Sequence, residues 1–135
     1  MKIKLSFILS TGFGLILAAV PVLAHHSFTA QFDRSKPANL TGPVTKFEWI
    51  NPHARFFMDV KDANGKTANW EVELSAPAML MRRGWTNKSL KIGESVTVAG
   101  SLAKDGSNLA NATTVTLSDG KRVFAGSSGG DGDTQ

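Results

Sequence analysis

The sequence predicts an all-β fold, five short strands with one helix between the third and the fourth. Three observations carry that prediction. Turn signals recur at short intervals, at Asp62-Ala63-Asn64-Gly65, Lys91-Ile92-Gly93, Lys104-Asp105-Gly106 and Ser118-Asp119-Gly120, which is the punctuation of a small β domain. Between them apolar residues alternate with polar ones, as in half-buried strands. Only one stretch, from Ser75 to Gly84, abandons that period.

Taken in order, Leu40 to Trp49 (LTGPVTKFEW) reads as the first strand, with Gly42 and Pro43 marking a bulge or an edge near its start. Ala54 to Lys61 (ARFFMDVK) reads as the second, with Ala54, Phe56, Met58 and Val60 on one face and Arg55, Phe57, Asp59 and Lys61 on the other. Thr67 to Leu74 continues the pattern as the third, Trp70, Val72 and Leu74 inward, Glu71 and Glu73 outward. A hairpin through Asn64-Gly65 joins these two strands. Ser75 is placed to cap a short helix over Ala76 to Arg83, with Pro77 in its first turn, Met79 and Leu80 toward the core, and Gly84 at its stop. Glu94 to Leu102 and Ala112 to Ser118 supply two more strands, and Lys121 to Phe124 extends the last one beyond the Asp119-Gly120 turn. The order β-β-β-α-β-β is that of an OB-fold, a five-stranded, partly open barrel that binds ligands with one rim and the loops beside it.

The ends of the chain read differently. Lys2 and Lys4 precede an apolar run from Leu5 to Val20, followed by Pro21 and by Val22-Leu23-Ala24, the layout of a signal peptide cleaved after Ala24. The expected compartment is a bacterial periplasm. An uncleaved anchor is the rival, because a helix of about 20 residues just spans a bilayer, but the proline and small residues favour cleavage. Removing the first 24 of 135 residues leaves 111, one domain, organised as an N-terminal segment over 25–39 leading into a barrel that ends at residue 125. The tail over 126–135 (GSSGGDGDTQ) has no apolar residue to bury and is expected to be disordered. There is no cysteine, so neither a lipoprotein thiol nor a disulfide is available. Once Lys2 and Lys4 leave with the signal, 13 basic residues face 11 acidic ones. That is no footprint for nucleic acid.

The three histidines are His25, His26 and His53. Cleavage after Ala24 gives His25 a free α-amine beside its imidazole, and the two nitrogens together can chelate Cu(II), which heads the stability order of divalent metals. A second imidazole would complete a three-nitrogen site of the histidine-brace kind. His53, in Asn51-Pro52-His53 between the first two strands, is the preferred second ligand, since Pro52 stiffens that loop and OB-folds use it for binding. His26 ranks third. A plain alternative stands beside this site: polar residues after a signal are common, and a histidine near a strand end is usually a surface group.

Among the other polar residues, Asp33 is read as a turn carboxylate, with orientation of an imidazole as its less ordinary role. Glu71 and Glu73 are read as a solvated face. Met58, Met79 and Met81 are assigned to packing rather than to Cu(I). The rings of Trp49, Trp70, Trp85, Phe47, Phe56 and Phe57 are core by default, with an exposed subset available to stack on a ligand, and Phe28 and Phe32 are expected to pin the N-terminal segment onto the barrel. No phosphate loop, catalytic triad order or HExxH helix is present, so the sequence names no catalytic residue and leans away from an enzyme. The sequons at Asn39, Asn87 and Asn111 are incidental in a bacterial protein.

The AHHSF start at Ala24 to Phe28, the WINPH element at Trp49 to His53 and the RRGW element at Arg82 to Trp85 together resemble a family of small exported bacterial proteins, a domain of unknown function. The resemblance implies a periplasmic location and supplies no activity, cofactor or ligand. In topology alone the chain also looks like periplasmic OB-fold stress proteins. The leading expectation is therefore a periplasmic OB-fold binding protein, a copper carrier or accessory factor using His25 and His53. A metal-free module for a protein, peptide or glycan partner is the alternative. A copper enzyme with a histidine brace is the third reading.

Overall fold

The computed structural model describes residues 28–126. The signal segment, His25, His26 and the tail beyond Gly126 lie outside the described residues. After a helical turn over 28–31 come β1 (Phe32–Glu48), β2 (Arg55–Lys61), β3 (Thr67–Glu73), α1 (Pro77–Arg82), β4 (Ser95–Ala103), β5 (Leu109–Thr116) and a short β6 (Arg122–Phe124). The predicted order holds, with Arg122–Phe124 folding back on the end of β5 as a strand of its own. The sheet runs β3-β2-β1-β4-β5-β6, and a parallel pairing of β3 with β5 closes it into a barrel. Glu71, Val72 and Glu73 pair with Leu109, Ala110 and Asn111 at that seam. The β2–β3 hairpin pairs along its whole length, from Arg55↔Glu73 to Lys61↔Thr67, and the seam is short by comparison. Among the described residues no helix is long and apolar enough to cross a membrane.

β1 is 17 residues long and starts at Phe32, not Leu40. The stretch Asp33 to Pro37 hides this in the sequence, being polar and proline-containing. It is an irregularity within the strand, where the register against β4 shifts between Asp33 and Pro37, a place at which proline is tolerated. Asp33 closes a local turn by accepting hydrogen bonds from the Ser35 amide (3.0 Å) and hydroxyl (2.6 Å).

Along its length β1 changes partners. Phe32 through Pro43 faces β4, and Val44 through Glu48 faces β2, with a register shift between Val44 and Lys46. At the handover a Cβ built on Gly42 would lie 1.9 Å from the Asp59 carbonyl oxygen. The backbones cross so closely that no side chain fits.

The core follows the alternation read from the sequence. Ala54, Phe56 and Met58 of the second strand region, and Val72 and Leu74 of the third, are fully buried, while Val60 and Trp70 pack partly buried against them. Phe56, Val72, Val98 and Val115 belong to one core cluster with Leu80 and Trp85. Burying a side chain of Leu80's size contributes about 1.5–3 kcal/mol. That contact is what holds α1, since a helix of six residues is unstable by itself.

Three details of the helix differ from expectation. Its N-cap is Ala76, with no side-chain cap. Ser75 is buried instead, its amide donating to the Ala125 carbonyl and its carbonyl accepting from the Ala54 amide. Only Leu80 of the expected pair faces the core, whereas Met79 is 39% exposed, and Met81, also assigned to packing, is 57% exposed. Six residues give under two turns, so only one narrow face, carrying Pro77 and Leu80, is buried. Gly84 ends the helix as expected, at φ +86°, its amide bonding to the Met81 carbonyl.

Gly42→Ala is expected to destabilise the fold by about 1–3 kcal/mol or more, because the backbone must part to admit the methyl group. Urea unfolding should show a lower midpoint at an unchanged slope. A midpoint equal to that of the wild type would show that the crossing is not tight.

Candidate functional site

His53 lies in the loop between β1 and β2. The C-terminal flank of that loop is tied down on both sides of Ala54: its amide donates to the Ser75 carbonyl (3.1 Å), and its carbonyl accepts from the Leu74 amide (2.8 Å). With Ala54 turned fully into the core, alternation sends His53 and Arg55 to the outer face. The Asn51-Pro52 bond is cis, which the sequence gives no means to foresee.

Across the outer face, register lines up four strands. Glu48 opposes Arg55, Arg55 opposes Glu73, and Glu73 opposes Asn111 over the closing seam. Their side chains form two linked sets. In one, Arg55 donates from Nε to Glu48 Oε2 (2.6 Å) and from a terminal guanidinium nitrogen to Glu71 Oε1 (3.1 Å), while Lys46 Nζ lies 2.5 Å from Glu48 Oε1. In the other, Glu73 Oε1 receives His53 Nδ1 at 3.2 Å and Asn111 Nδ2 at 3.1 Å. Asn111 is only 3% exposed despite facing outward. An open pocket of about 190 Å³ lies here, walled by the loop from Ile50 to His53 on one side and by Arg55, Glu71 and Glu73 on the other.

Charge follows these contacts. The Glu73 hydrogen bond, first, and its negative charge hold the His53 imidazolium form above the usual histidine range, against partial burial that acts the other way. Hydrogen bonds from Lys46 and Arg55 keep the Glu48 carboxylate below its usual range. Because Glu73 engages Nδ1, Nε2 is the ring nitrogen left for a ligand.

Of the residues singled out in the sequence, His53 alone among the three histidines falls within the described residues. Among those residues no group of three or more His, Cys, Asp or Glu is arranged to hold a metal ion. Asp33 is the turn carboxylate it was read to be. The carboxylate that does meet an imidazole is Glu73, which the sequence assigned to a solvated face together with Glu71. Register was the signal: counting pairs back from the Asn64-Gly65 turn sets Arg55 opposite Glu73, and His53 is two positions from Arg55 on the same face.

The aromatic residues divide. Phe56 and Trp85 are core, and the Trp85 Nε1–H donates to the Phe124 carbonyl. Phe47 and Trp49 stay partly buried as an edge-to-face pair with centroids 5.9 Å apart, beside Ile50, which is 42% exposed. Phe28 and Phe32 are buried with ring centroids 5.4 Å apart. Next to them Lys104 bonds back to the start of the described chain, its amide to the Gln31 carbonyl and its ammonium to that of Thr29. The segment is thereby pinned to the β4–β5 loop.

A family model described as a family of unknown function (DUF6152) matches residues 14–112. The match takes in all three histidines, Glu73 and Asn111. No curated protein and no solved structure matches the chain.

The His53–Glu73 pair has a pH signature. A histidine whose proton affinity is higher folded than unfolded adds stability that is fully present below the unfolded value of about 6.5 and is lost as pH rises through the raised folded value. Between about pH 5.5 and about pH 8.5 the urea midpoint of the wild type should therefore fall further than that of His53→Gln. Parallel curves would mean that the pair contributes no pH-dependent stability.

Proposed function

The chain belongs to this DUF6152 family, and on that premise we propose that it is an exported periplasmic binding protein that holds copper between His53 and a mature N-terminal His25. The observation that carries this reading is the Glu73 hydrogen bond on His53 Nδ1 (3.2 Å). Metal-binding imidazoles characteristically donate their second nitrogen to a carboxylate, which fixes the ring and raises its basicity as a ligand. His53 has that arrangement, at the mouth of a pocket.

Chain path supports the second half of the site. Phe32 pairs with Ala103, Leu102 with Ala110, and Ala110 with Val72. The start of β1 thus lies on the same stretch of barrel wall as Glu73, three strand spacings away, roughly 14 Å at about 4.8 Å each. Three residue steps lead from Phe28 back to His25, about 10 Å of extended chain. His25 then supplies an amine and an imidazole, His53 a third nitrogen, and His26 stands as the substitute for either ring. Such a nitrogen set suits Cu(II). The positive head, apolar run and Val22-Leu23-Ala24 ending support export, and cleavage after Ala24 creates the amine on which the chelate depends.

A second reading rests on the Phe47–Trp49 pair and the exposed Ile50 beside the pocket: a metal-free module that lays a peptide or protein partner across this rim. A copper enzyme is less favoured, because about 190 Å³ is below the roughly 300–1,000 Å³ of usual small-molecule sites.

Cu(II) titration of protein beginning at His25 separates the readings. Compared with it, a form carrying one extra N-terminal residue should bind more weakly by about tenfold or more, and so should His53→Ala, each having lost a ligand. Equal affinity in all three would overturn the copper site. The partner module predicts indifference to both changes. Affinity should also fall steeply below neutral pH, since protons compete for the amine and for both rings.

A further inference from the structure

We infer that Glu73, steadied by Asn111, is a positioning residue that holds the neutral His53 ring with its proton on Nδ1 and its lone pair on Nε2. An ionised carboxylate only accepts hydrogen bonds, so the nitrogen 3.2 Å from Glu73 Oε1 must be the one that carries hydrogen. A histidine free in water prefers the opposite form, with its proton on Nε2. The partner of one ring nitrogen sets the state of the other, and here the contact inverts the ordinary preference.

The carboxylate is itself held. Glu73 ends β3 at the closing seam, register-paired with Asn111 on β5, and the buried Asn111 side chain donates to the same Oε1 at 3.1 Å. Two donors converge on one oxygen, one from the β1–β2 loop and one from β5. Glu73 therefore cannot turn toward solvent without breaking a bond to a nearly inaccessible amide. The result is a single ligand nitrogen, Nε2. That this nitrogen meets copper rests on the function proposed above; the tautomer does not.

The experiment has two independent arms. Long-range ¹H–¹⁵N spectra of the ring, recorded on metal-free mature protein at a pH well above its titration, report which nitrogen is protonated. Wild type should show His53 protonated on Nδ1. Glu73→Ala should shift the population toward Nε2, with Asn111→Ala moving it the same way to a smaller extent and backbone amide spectra confirming that both variants are folded. A wild-type ring protonated on Nε2, or no change in Glu73→Ala, overturns the inference whatever the metal does. In the second arm Glu73→Ala should weaken Cu(II) binding by about 10–100-fold, and Glu73→Asp should restore part of it. A tautomer that changes while copper affinity does not would refute the link to ligation. A wild type that binds no Cu(II) but carries its proton on Nδ1 would overturn the copper reading and uphold Glu73's role in fixing the ring.

Discussion

The handover in β1 is the constraint on which the rest of this structure depends. One strand serves two neighbours, β4 along its first part and β2 along its last, and it must bend sharply between them. The bend is possible because Gly42 lets the Asp59 carbonyl approach to a distance no Cβ would permit. Once β1 is bent, β2 and β3 are carried round on one side and β4 and β5 on the other. They meet at the β3–β5 seam. A matching close approach, between Gly100 and the Asn111 carbonyl with its own 1.9 Å separation from a built Cβ, tightens β4 against β5 just before that seam forms. Glycines at these crossings thus set where the barrel closes.

That closure also explains why the polar cluster lies where it does. Parallel pairing at the seam is short, so side chains add to the join on its outer side. Asn111 bonds across it to Glu73, and Glu73 to His53. The bond from the buried Asn111 amide contributes on the order of 1 kcal/mol, which makes it part of the fold as well as part of the pocket. The loop from Trp49 to Ala54 gains its rigidity from the same region, through the paired Ala54, Leu74 and Ser75 backbones. Fold and candidate site share one set of hydrogen bonds.

Much of this was legible in the sequence, and what was not has physical causes. Alternation identified β2, β3 and their buried face because each residue there is decided by burial alone. The extension of β1 back to Phe32 was hidden by Asp33 to Pro37, whose side chains satisfy one another locally and so imitate a loop. Met79 and Met81 were misplaced because under two turns of helix bury one narrow face, which Pro77 and Leu80 occupy. His53 could be singled out by residue type and loop position. Its partner Glu73 could not be recognised from type, since two glutamates on one strand face look the same whether solvated or paired. The His53–Glu73 tie follows from hairpin register, whereas the Asn111 contact depends on barrel closure, a long-range pairing between β3 and β5 that no local pattern encodes.

The Glu73 contact has opposing consequences for any ligand of His53. A carboxylate on Nδ1 raises the ring's affinity for a metal and, by the same charge, its affinity for a proton. Below the ring's raised titration the proton takes Nε2, and the imidazolium–carboxylate pair ties the β1–β2 loop to the end of β3 while closing Nε2 to other ligands. Above it the proton leaves, the charged tie is lost, and Nε2 is open with enhanced basicity. A metal arriving there restores positive charge opposite Glu73 and so replaces the proton in both of its roles. A ligand bound at Nε2 would therefore be coupled to the tie between the β1–β2 loop and β3, so the loss of stability with rising pH should be smaller in the ligand-bound protein.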